Sequence, residues 1–165
     1  MTMRLLRHLF ARSARRLFPE DRLQRIAAAI ASDEARHRSE VCFAVESSLG
    51  WRAVWAGCQA RERAGEVFSQ LRVWDTAENN GILIYLQLAD RRIEILADRG
   101  LDSLVSNEQW RGVCLRMEER MAAGDPEAAV LEGVAAAGDL LARHYPRIDS
   151  REDRNELPDQ PRILR

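Results

Sequence analysis

The sequence predicts an α/β fold, a single-domain α/β/α sandwich in which helices flank a central mixed sheet. The length of 165 residues and the 46% apolar share suit one domain with a buried core. Apolar runs with strand character at 39–46, 82–88 and 93–97 alternate with segments of helical periodicity. A helical segment separates the first two strands, which favours a parallel pair joined by a right-handed crossover.

The first half of the chain alternates between helix and strand. Pro19 opens a helix that should run to about residue 36, with acids in its first turn, where they stabilise the positive end of the helix dipole. The strand at 39–46 has apolar side chains on both faces, so both faces should be covered. Residues 47–58 fit a short helix or a loop over the sheet edge, and Gln59 precedes a clearer second helix.

The second half of the chain begins with a hairpin. Residues 82–97 form two strands joined by a tight tip around Asp90, which makes these strands antiparallel. A capping-box pattern starts a third helix at Ser106, and Asp125 before a proline starts a fourth. From residue 147 the chain should be extended and polar.

We divide the chain into a basic amphipathic N-terminal arm (1–18), the folded domain (19–146) and an extended polar C-terminal tail (147–165). The arm carries five arginines and no acid, interleaved with leucine and phenylalanine. As a helix it would have an apolar stripe and a basic face, which suits an anionic membrane surface or a groove of a partner protein. The alternative is that the arm packs on its own domain or is mobile.

Charge and motifs exclude several function classes. The 25 basic and 26 acidic residues give a net charge of −1, which does not favour nucleic acid as a partner. The usual nucleotide-binding, serine-hydrolase and zinc-protease motifs are absent. The arm lacks the features of a secretory signal, no apolar run is long enough to span a bilayer, and three cysteines without metal spacing agree with a reducing compartment. We therefore expect a cytoplasmic protein that can associate peripherally with a membrane through residues 1–18.

Oxygen-bearing side chains gather at one edge of the predicted sheet. In this topology the start of the first strand (Glu40), the start of the second (Asn80) and the end of the third (Asp98) fall on the same edge. Asp75 lies in the approach to the second strand. Ca²⁺ and Mg²⁺ prefer carboxylate and amide oxygens, so this edge is a candidate cation site. The predicted metal ligands are Asp75, Asn80, Asp98, Glu40 and Glu34.

The same edge has two other interpretations. Carboxylates beside an imidazole can carry out acid–base chemistry, which makes Asp75, Asp98 and His37 candidate catalytic residues. Acids and asparagines are also ordinary components of turns and helix caps, without any site. His37 lies between two arginines, which predicts an exposed, solvated ring unless a neighbouring glutamate contacts it.

Four segments resemble a known family. They read HRSEVCFAVESSL, RERAGEVFSQLRVWDTAENNGILIYLQLADRRIEILADRG, the helix around Trp110, and GVAAAGDLLARHYP. Together they resemble a TPM domain, and more narrowly its short soluble bacterial branch, whose tail often reads much like NELPDQPRIL here. The similarity covers about Phe18 to Leu164, and NNGILIYL and ADRG are its most specific motifs.

The resemblance implies a central sheet between layers of helices. Some relatives of the thylakoid lumen are linked to photosystem II repair and are credited with acid phosphatase activity and divalent-cation binding. Other relatives are membrane-attached or lie beside genes for LemA-type membrane proteins. The residues carried over by position are Asp75, Asn80 and Asp98, with Glu34, His37 and Glu40 as the acidic or imidazole complement.

Two departures from the family pattern accompany this resemblance. Ser39 stands where the bacterial branch usually has glycine, and residues 98–100 replace a glycine-flanked segment of the lumenal relatives.

The function expected is a divalent-cation-binding interaction or assembly module near membrane proteins, with Ca²⁺ or Mg²⁺ as cofactor and a membrane protein or LemA-type protein as partner. The alternative is a metal-assisted, acid phosphatase-like hydrolase of phosphomonoesters, so whether the protein is an enzyme stays open.

Overall fold

The computed structural model describes residues 2–147 and 155–164, and this part of the chain contains a four-stranded mixed sheet. Its strands are β1 (Glu40–Glu46), β2 (Gly81–Gln87), β3 (Arg92–Ala97) and β4 (Arg162–Leu164), in the order β3-β2-β1-β4. β1 runs parallel to β2 and to β4, and β2 is antiparallel to β3. The predicted α/β fold, the parallel crossover and the hairpin are therefore confirmed.

Seven α-helices accompany the sheet within the described ranges. They are α1 (Thr2–Leu9), α2 (Ala14–Leu17), α3 (Glu20–Glu34), α4 (Trp51–Trp55), α5 (Ala60–Gln70), α6 (Asn107–Ala122) and α7 (Pro126–His144). A 3₁₀ turn, Arg99–Leu101, follows β3. The predicted caps of the last two helices are present, because the side chains of Ser106 and Asp125 accept hydrogen bonds from backbone N–H groups in the first turns of α6 and α7. The short α4 decides between the two interpretations of residues 47–58 in favour of a helix.

The sheet separates two apolar clusters. The larger lies between one face of the sheet and the helices α3, α6 and α7, and Phe43 and Ile84 are fully buried in it. The smaller lies on the opposite face, where Leu83 packs with α5 and with Leu157 of the C-terminal segment. β1 and β2 are buried over their whole length because each carries apolar side chains on both faces. This confirms that the first strand is covered on both sides.

The C-terminal segment contributes the edge strand of the sheet. β4 pairs with the last residues of β1, in register from Ala44 to Glu46. Only Ile163 and Leu164 carry an apolar signal there, at the end of a polar stretch, so the sequence indicates an extended segment without showing where it pairs. Residues 148–154 of the predicted tail lie outside the described residues.

The N-terminal arm packs on the domain through its own polar side chains. The Arg4 guanidinium donates to both carboxylate oxygens of Asp90 at the hairpin tip, at 2.7 to 3.2 Å, and to the carbonyl of Cys58 at 2.6 Å. The His8 ring is buried, accepts the backbone N–H of Leu49 at Nδ1 (3.0 Å) and places Nε2 3.2 Å from Asp90. Burial acts to raise the pKa of Asp90, but the hydrogen bonds and charge of Arg4, together with the nearby His8, outweigh burial and hold this pKa below its ordinary value. The described residues of the arm therefore pack on their own domain, as one of the predicted alternatives has it.

Candidate functional site

The edge predicted from topology brings three segments of the chain together. Glu40 is in register with Gly81 at the starts of the parallel strands. The backbone N–H of Asp98 donates to the carbonyl of Gly81 at 2.9 Å, and that of Gly100 donates to the carbonyl of Asn79 at 2.8 Å. The start of β1, the start of β2 and the end of β3 therefore lie side by side. We call residues 37–40, 78–81 and 98–100 the rim.

The glycine of the ADRG motif is required by close backbone contact within the rim. A Cβ atom at Gly100 would lie 2.5 Å from the carbonyl oxygens of Glu78 and Asn79, so a larger residue would push the turn away. Arg99 closes the same contact, since its guanidinium donates to Asn79 Oδ1 at 2.9 and 3.1 Å. The motif thus holds the end of β3 against the approach to β2.

Three polar oxygens of the rim are buried without a hydrogen-bond donor. They belong to Asn80 (Oδ1), Asp98 (Oδ2) and Ser39 (Oγ). The Asn80 side-chain NH₂ group donates to the carbonyl of Arg38, and the other oxygen of Asp98 accepts the backbone N–H of Arg99 at 2.8 Å. A buried oxygen without a donor carries a desolvation cost of about 1–3 kcal/mol, which a bound donor or cation would remove.

Asp75 is not linked to this set. Its side chain is 47% exposed, and its carboxylate pairs with Arg72 at 2.5 Å. Among the described residues no hydrogen bond or ion pair joins Asp75 to the rim. The predicted ligand role of Asp75 therefore stays a prediction without a contact that supports it.

His37 is fully buried, so the prediction of an exposed, solvated ring is wrong. Its Nδ1 accepts the backbone N–H of Ser39 at 3.2 Å, which assigns the ring proton to Nε2. That Nε2 lies 3.1 Å from the carboxylate of Asp33, one turn earlier in the chain, and not against either neighbouring glutamate. An isolated antiparallel backbone bridge also pairs His37 with Pro146. His37 thus ties the end of α3 to the start of β1.

Comparison with known proteins identifies the family of this chain. The family model described as the TPM domain matches residues 13–140. The chain belongs to the TPM domain family. The resemblance predicted from NNGILIYL and ADRG is therefore confirmed, and both motifs form part of the rim of this TPM domain or lead directly into it.

Two solved structures share the fold of this TPM domain. The BA42 protein of the psychrophilic bacterium Bizionia argentinensis, studied by NMR, is 24% identical, with a TM-score of 0.76 over 87% of this chain and 93% of that one. The N-terminal domain of a protein from P. gingivalis is 19% identical, with a TM-score of 0.65 over 80% of this chain and 83% of that one. No match was found among curated proteins. At such identities the likeness concerns the fold alone.

The rim also holds a tyrosine–glutamate–arginine cluster that no sequence motif marks. The Arg38 guanidinium lies over the Tyr145 ring, 4.0 Å from its centroid, and pairs with Glu78 at 3.1 Å. The Tyr145 hydroxyl donates to the same carboxylate. Burial, followed by the nearby Glu78, raises the pKa of Tyr145 to about 12, so the hydroxyl stays protonated. The only sequence signal was an aromatic residue directly after α7.

Two of the predicted ligands, Glu34 and Glu40, accept hydrogen bonds from backbone N–H groups. Glu34 accepts the N–H of Val41 at 2.6 Å, and Glu40 accepts the N–H of Leu157 in the C-terminal segment at 3.0 Å. Burial raises the pKa of Glu34 to about 8; the bond from Val41 opposes this shift, and the charges of Glu40 and Asp159 add to it. Glu34 is therefore largely protonated at neutral pH, and a protonated carboxyl group is a poor ligand for a hard cation.

We expect Glu34→Gln to flatten the pH dependence of stability. In the unfolded chain this carboxyl group ionises near pH 4.5, whereas in the folded protein it keeps its proton to about pH 8. Its contribution to stability is therefore complete below the lower value and is lost as the pH rises, by up to about 1.4 kcal/mol per pH unit. Glutamine keeps the acceptor for Val41 and cannot ionise. Denaturant titrations at about pH 5 and about pH 8 measure the slope.

The matched control for this prediction is Glu108→Gln, which changes an exposed glutamate in the first turn of α6. It should leave the slope between the two pH values as it is in the parent. An equal slope in Glu34→Gln and in the parent would contradict the buried, protonated state of Glu34.

A divalent cation at the rim would be held through neutral oxygens more than through carboxylates. The described residues contain no group of three or more His, Cys, Asp and Glu side chains that could hold a metal. The three donor-free oxygens supply one carboxylate, from Asp98, together with the amide of Asn80 and the hydroxyl of Ser39. Ca²⁺ accepts all three oxygen types, and few charged ligands imply weak binding.

Proposed function

We propose that this TPM domain protein is a non-enzymatic interaction module that works beside membrane proteins, with its N-terminal arm as the contact surface. The observation that carries the proposal is that the arm exposes large apolar side chains, although α1 is fixed to the domain by Arg4 and His8. Exposed apolar patches of this kind mark interaction surfaces. The exposed side chains are Met3, Leu6, Leu9 and Phe10.

Positive charge surrounds this apolar face. Four arginines of the arm are exposed and form no ion pair with any described residue. They are Arg7, Arg12, Arg15 and Arg16. Apolar side chains between cationic ones favour the surface of an anionic bilayer, where the arm would place the domain next to its partner. A membrane protein of the LemA type is the partner that the family resemblance suggests.

Leu9→Glu should weaken binding to anionic vesicles about ten-fold, because it removes an apolar contact and adds a charge repelled by the lipid. Leu9 is 66% exposed. Flotation of the protein with vesicles that contain phosphatidylglycerol measures the effect. Leu115→Glu is the matched control, because Leu115 is an exposed leucine of α6, outside the arm. If both variants float like the parent, or if the parent does not float, the membrane contact is disproved.

Divalent-cation binding at the rim is the second part of the proposal, and the donor-free oxygens favour it. Asp98, Asn80 and Ser39 would hold Ca²⁺ or Mg²⁺, and the cation would join the ends of three strands. It would neutralise the one carboxylate and satisfy the two neutral oxygens. Its role in an interaction module would be to fix the shape of the rim.

Asp98→Asn should abolish Ca²⁺ binding, because it removes the one carboxylate among these three oxygens. Asparagine can still accept the backbone N–H of Arg99, so the turn is preserved. Titration with Ca²⁺ and with Mg²⁺, followed by backbone amide resonances, should show shifts confined to the rim, with a Kd of about 10⁻³ M. Asp75→Asn is the control and should titrate like the parent. Equal titrations of parent and Asp98→Asn would rule out this site.

The alternative function, a metal-assisted hydrolase of phosphomonoesters, rests on the family resemblance. Hydrolysis of a chromogenic phosphomonoester that Asp98→Asn and Asp75→Asn both abolish would favour it over the interaction module. His37, the third catalytic candidate, is bonded to Asp33 and to the backbone of Ser39, so it would have to leave both to reach a substrate.

A further inference from the structure

An apolar cavity of about 800 Å³ lies between the arm, the hairpin tip and the turn that joins α6 to α7. The arm contributes one wall, the hairpin a second, and the end of α6 a third. Its lining is mostly aliphatic and includes Leu6, Leu17, Leu88, Ile93 and Met121. Cavities of about 300–1,000 Å³ with apolar walls are the usual size for small-molecule sites.

The edge of this apolar cavity is positively charged. Arg7, Arg12 and Arg91 line it, and within the described part of the chain none of them has an ion-pair partner. The one acid in the lining, Glu118, already receives two hydrogen bonds from Arg111, at 3.1 and 3.3 Å. A negatively charged group at this edge would therefore meet unpaired guanidinium groups.

We propose that this cavity binds one monomeric anionic amphiphile. Its single alkyl chain would occupy the apolar space, and its carboxylate or phosphate head would lie at the edge, among Arg7, Arg12 and Arg91. Each buried CH₂ group contributes about 0.8 kcal/mol to binding, and charge-assisted hydrogen bonds fix the head. This free ligand goes beyond the contact between the arm and a bilayer.

An amphiphile fits this cavity better than a peptide or a bilayer does. A peptide would bring backbone N–H and C=O groups into a space whose walls offer them no partners apart from the charged edge. A bilayer is a broad surface, whereas the cavity is concave and walled by three parts of the same chain. An alkyl chain needs no hydrogen bonds, and only its head needs the arginines.

Titration of the full-length protein with dodecanoate or dodecyl phosphate, each below its micelle concentration, tests the proposal. Both anions should shift the methyl resonances of Leu17, Ile93 and Met121. Dodecyltrimethylammonium has the same chain with a cationic head, and butyrate has the same head with a short chain. Each should bind at least about ten-fold more weakly than dodecanoate. Absence of dodecanoate binding, or equal binding of the cationic amphiphile, would overturn the proposal.

Two sets of variants locate the ligand. Ala122→Trp adds an indole at an exposed helical position that lines the apolar cavity, and it should weaken dodecanoate binding about ten-fold. The pair Arg7→Gln and Arg12→Gln should remove the preference for an anionic head. The matched pair Arg15→Gln and Arg16→Gln changes arm arginines that do not line the cavity and should leave that preference intact. Unchanged binding in Ala122→Trp would place the ligand elsewhere and overturn the proposal.

Met3, Leu6 and Phe10 belong both to the exposed face of the arm and to the lining of the apolar cavity, whereas Leu9 belongs only to the exposed face. Leu9→Glu therefore separates this inference from the proposed function. Loss of vesicle flotation together with full dodecanoate binding in this variant supports both proposals. A parent protein that binds dodecanoate without floating supports the cavity and disproves the membrane contact. A parent protein that floats without binding dodecanoate supports the membrane contact and disproves the proposed ligand of the cavity.

Discussion

Arg63→Met is expected to lower the free energy of unfolding by about 3–5 kcal/mol, because it leaves a buried carboxylate without its cation. Arg63 on α5 donates two hydrogen bonds to Glu46 at the end of β1, at 2.9 and 3.0 Å. Glu46 is buried and also accepts the hydroxyl of Tyr85 at 2.5 Å. Methionine keeps much of the length of the side chain but supplies no charge and no donor.

The two donors of this cluster, Arg63 and Tyr85, keep their protons over the accessible pH range. The bonds to Glu46 are the main reason why the pKa of Arg63 lies above its already high ordinary value. Burial, followed by the bond to Glu46, raises the pKa of Tyr85 well above its usual range, so its hydroxyl remains a donor. Arg63 and Tyr85 thus present fixed donors to the Glu46 carboxylate, and the cluster clamps α5 onto the sheet at the end opposite the rim.

Denaturant unfolding of the parent and three variants tests the clamp. The double variant Arg63→Met with Glu46→Gln should recover most of the loss, because the buried charge is gone and Tyr85 can still donate to the amide oxygen. Arg61→Met changes a more exposed arginine of the same helix and removes one hydrogen bond to the Ile95 carbonyl, so it should cost only about 1 kcal/mol. A single variant Arg63→Met as stable as Arg61→Met would contradict the clamp.

The sequence predicted the fold because each main element is marked locally. An unbroken apolar run and an alternating one, joined by a polar tip at Asp90, define the hairpin, and Ser106 and Asp125 begin two helices with their own caps. Strand β4 lacks such marks, since pairing with β1 depends on where the C-terminal segment crosses the sheet. The position of β4 depends on tertiary packing, which a local sequence pattern does not specify.

In the candidate site, too, some features follow from the sequence pattern and others depend on tertiary packing. Strand direction alone places Asn80 and Asp98 at one edge, so their convergence follows from topology. The surroundings of individual side chains do not follow from it. His37 is flanked by arginines in the sequence, yet α3 and the segment after α7 enclose it. Glu34 has its pKa raised by burial beneath the C-terminal segment, which lies more than a hundred residues away in the chain.

Gly81→Ala is expected to destabilise the protein by about 3 kcal/mol or more, because the first residue of β2 has no room for a Cβ atom. Such an atom would lie 2.0 Å from the carbonyl oxygen of Val73. Val73 is fully buried, and its own N–H is bonded to the carbonyl of Phe68 at 3.0 Å, so this backbone cannot turn aside. The start of β2 would have to move instead.

That movement would also disturb the rim, since Gly81 accepts the backbone N–H of Asp98. Amide exchange at Asp98 should therefore accelerate in Gly81→Ala by more than the global loss of stability explains. Gly65→Ala is the matched control, because a Cβ at this position in α5 meets no atom within 4 Å. It should stabilise the helix by up to about 1 kcal/mol. If Gly81→Ala unfolds at the same denaturant concentration as the parent, the close contact between β2 and Val73 does not limit this position.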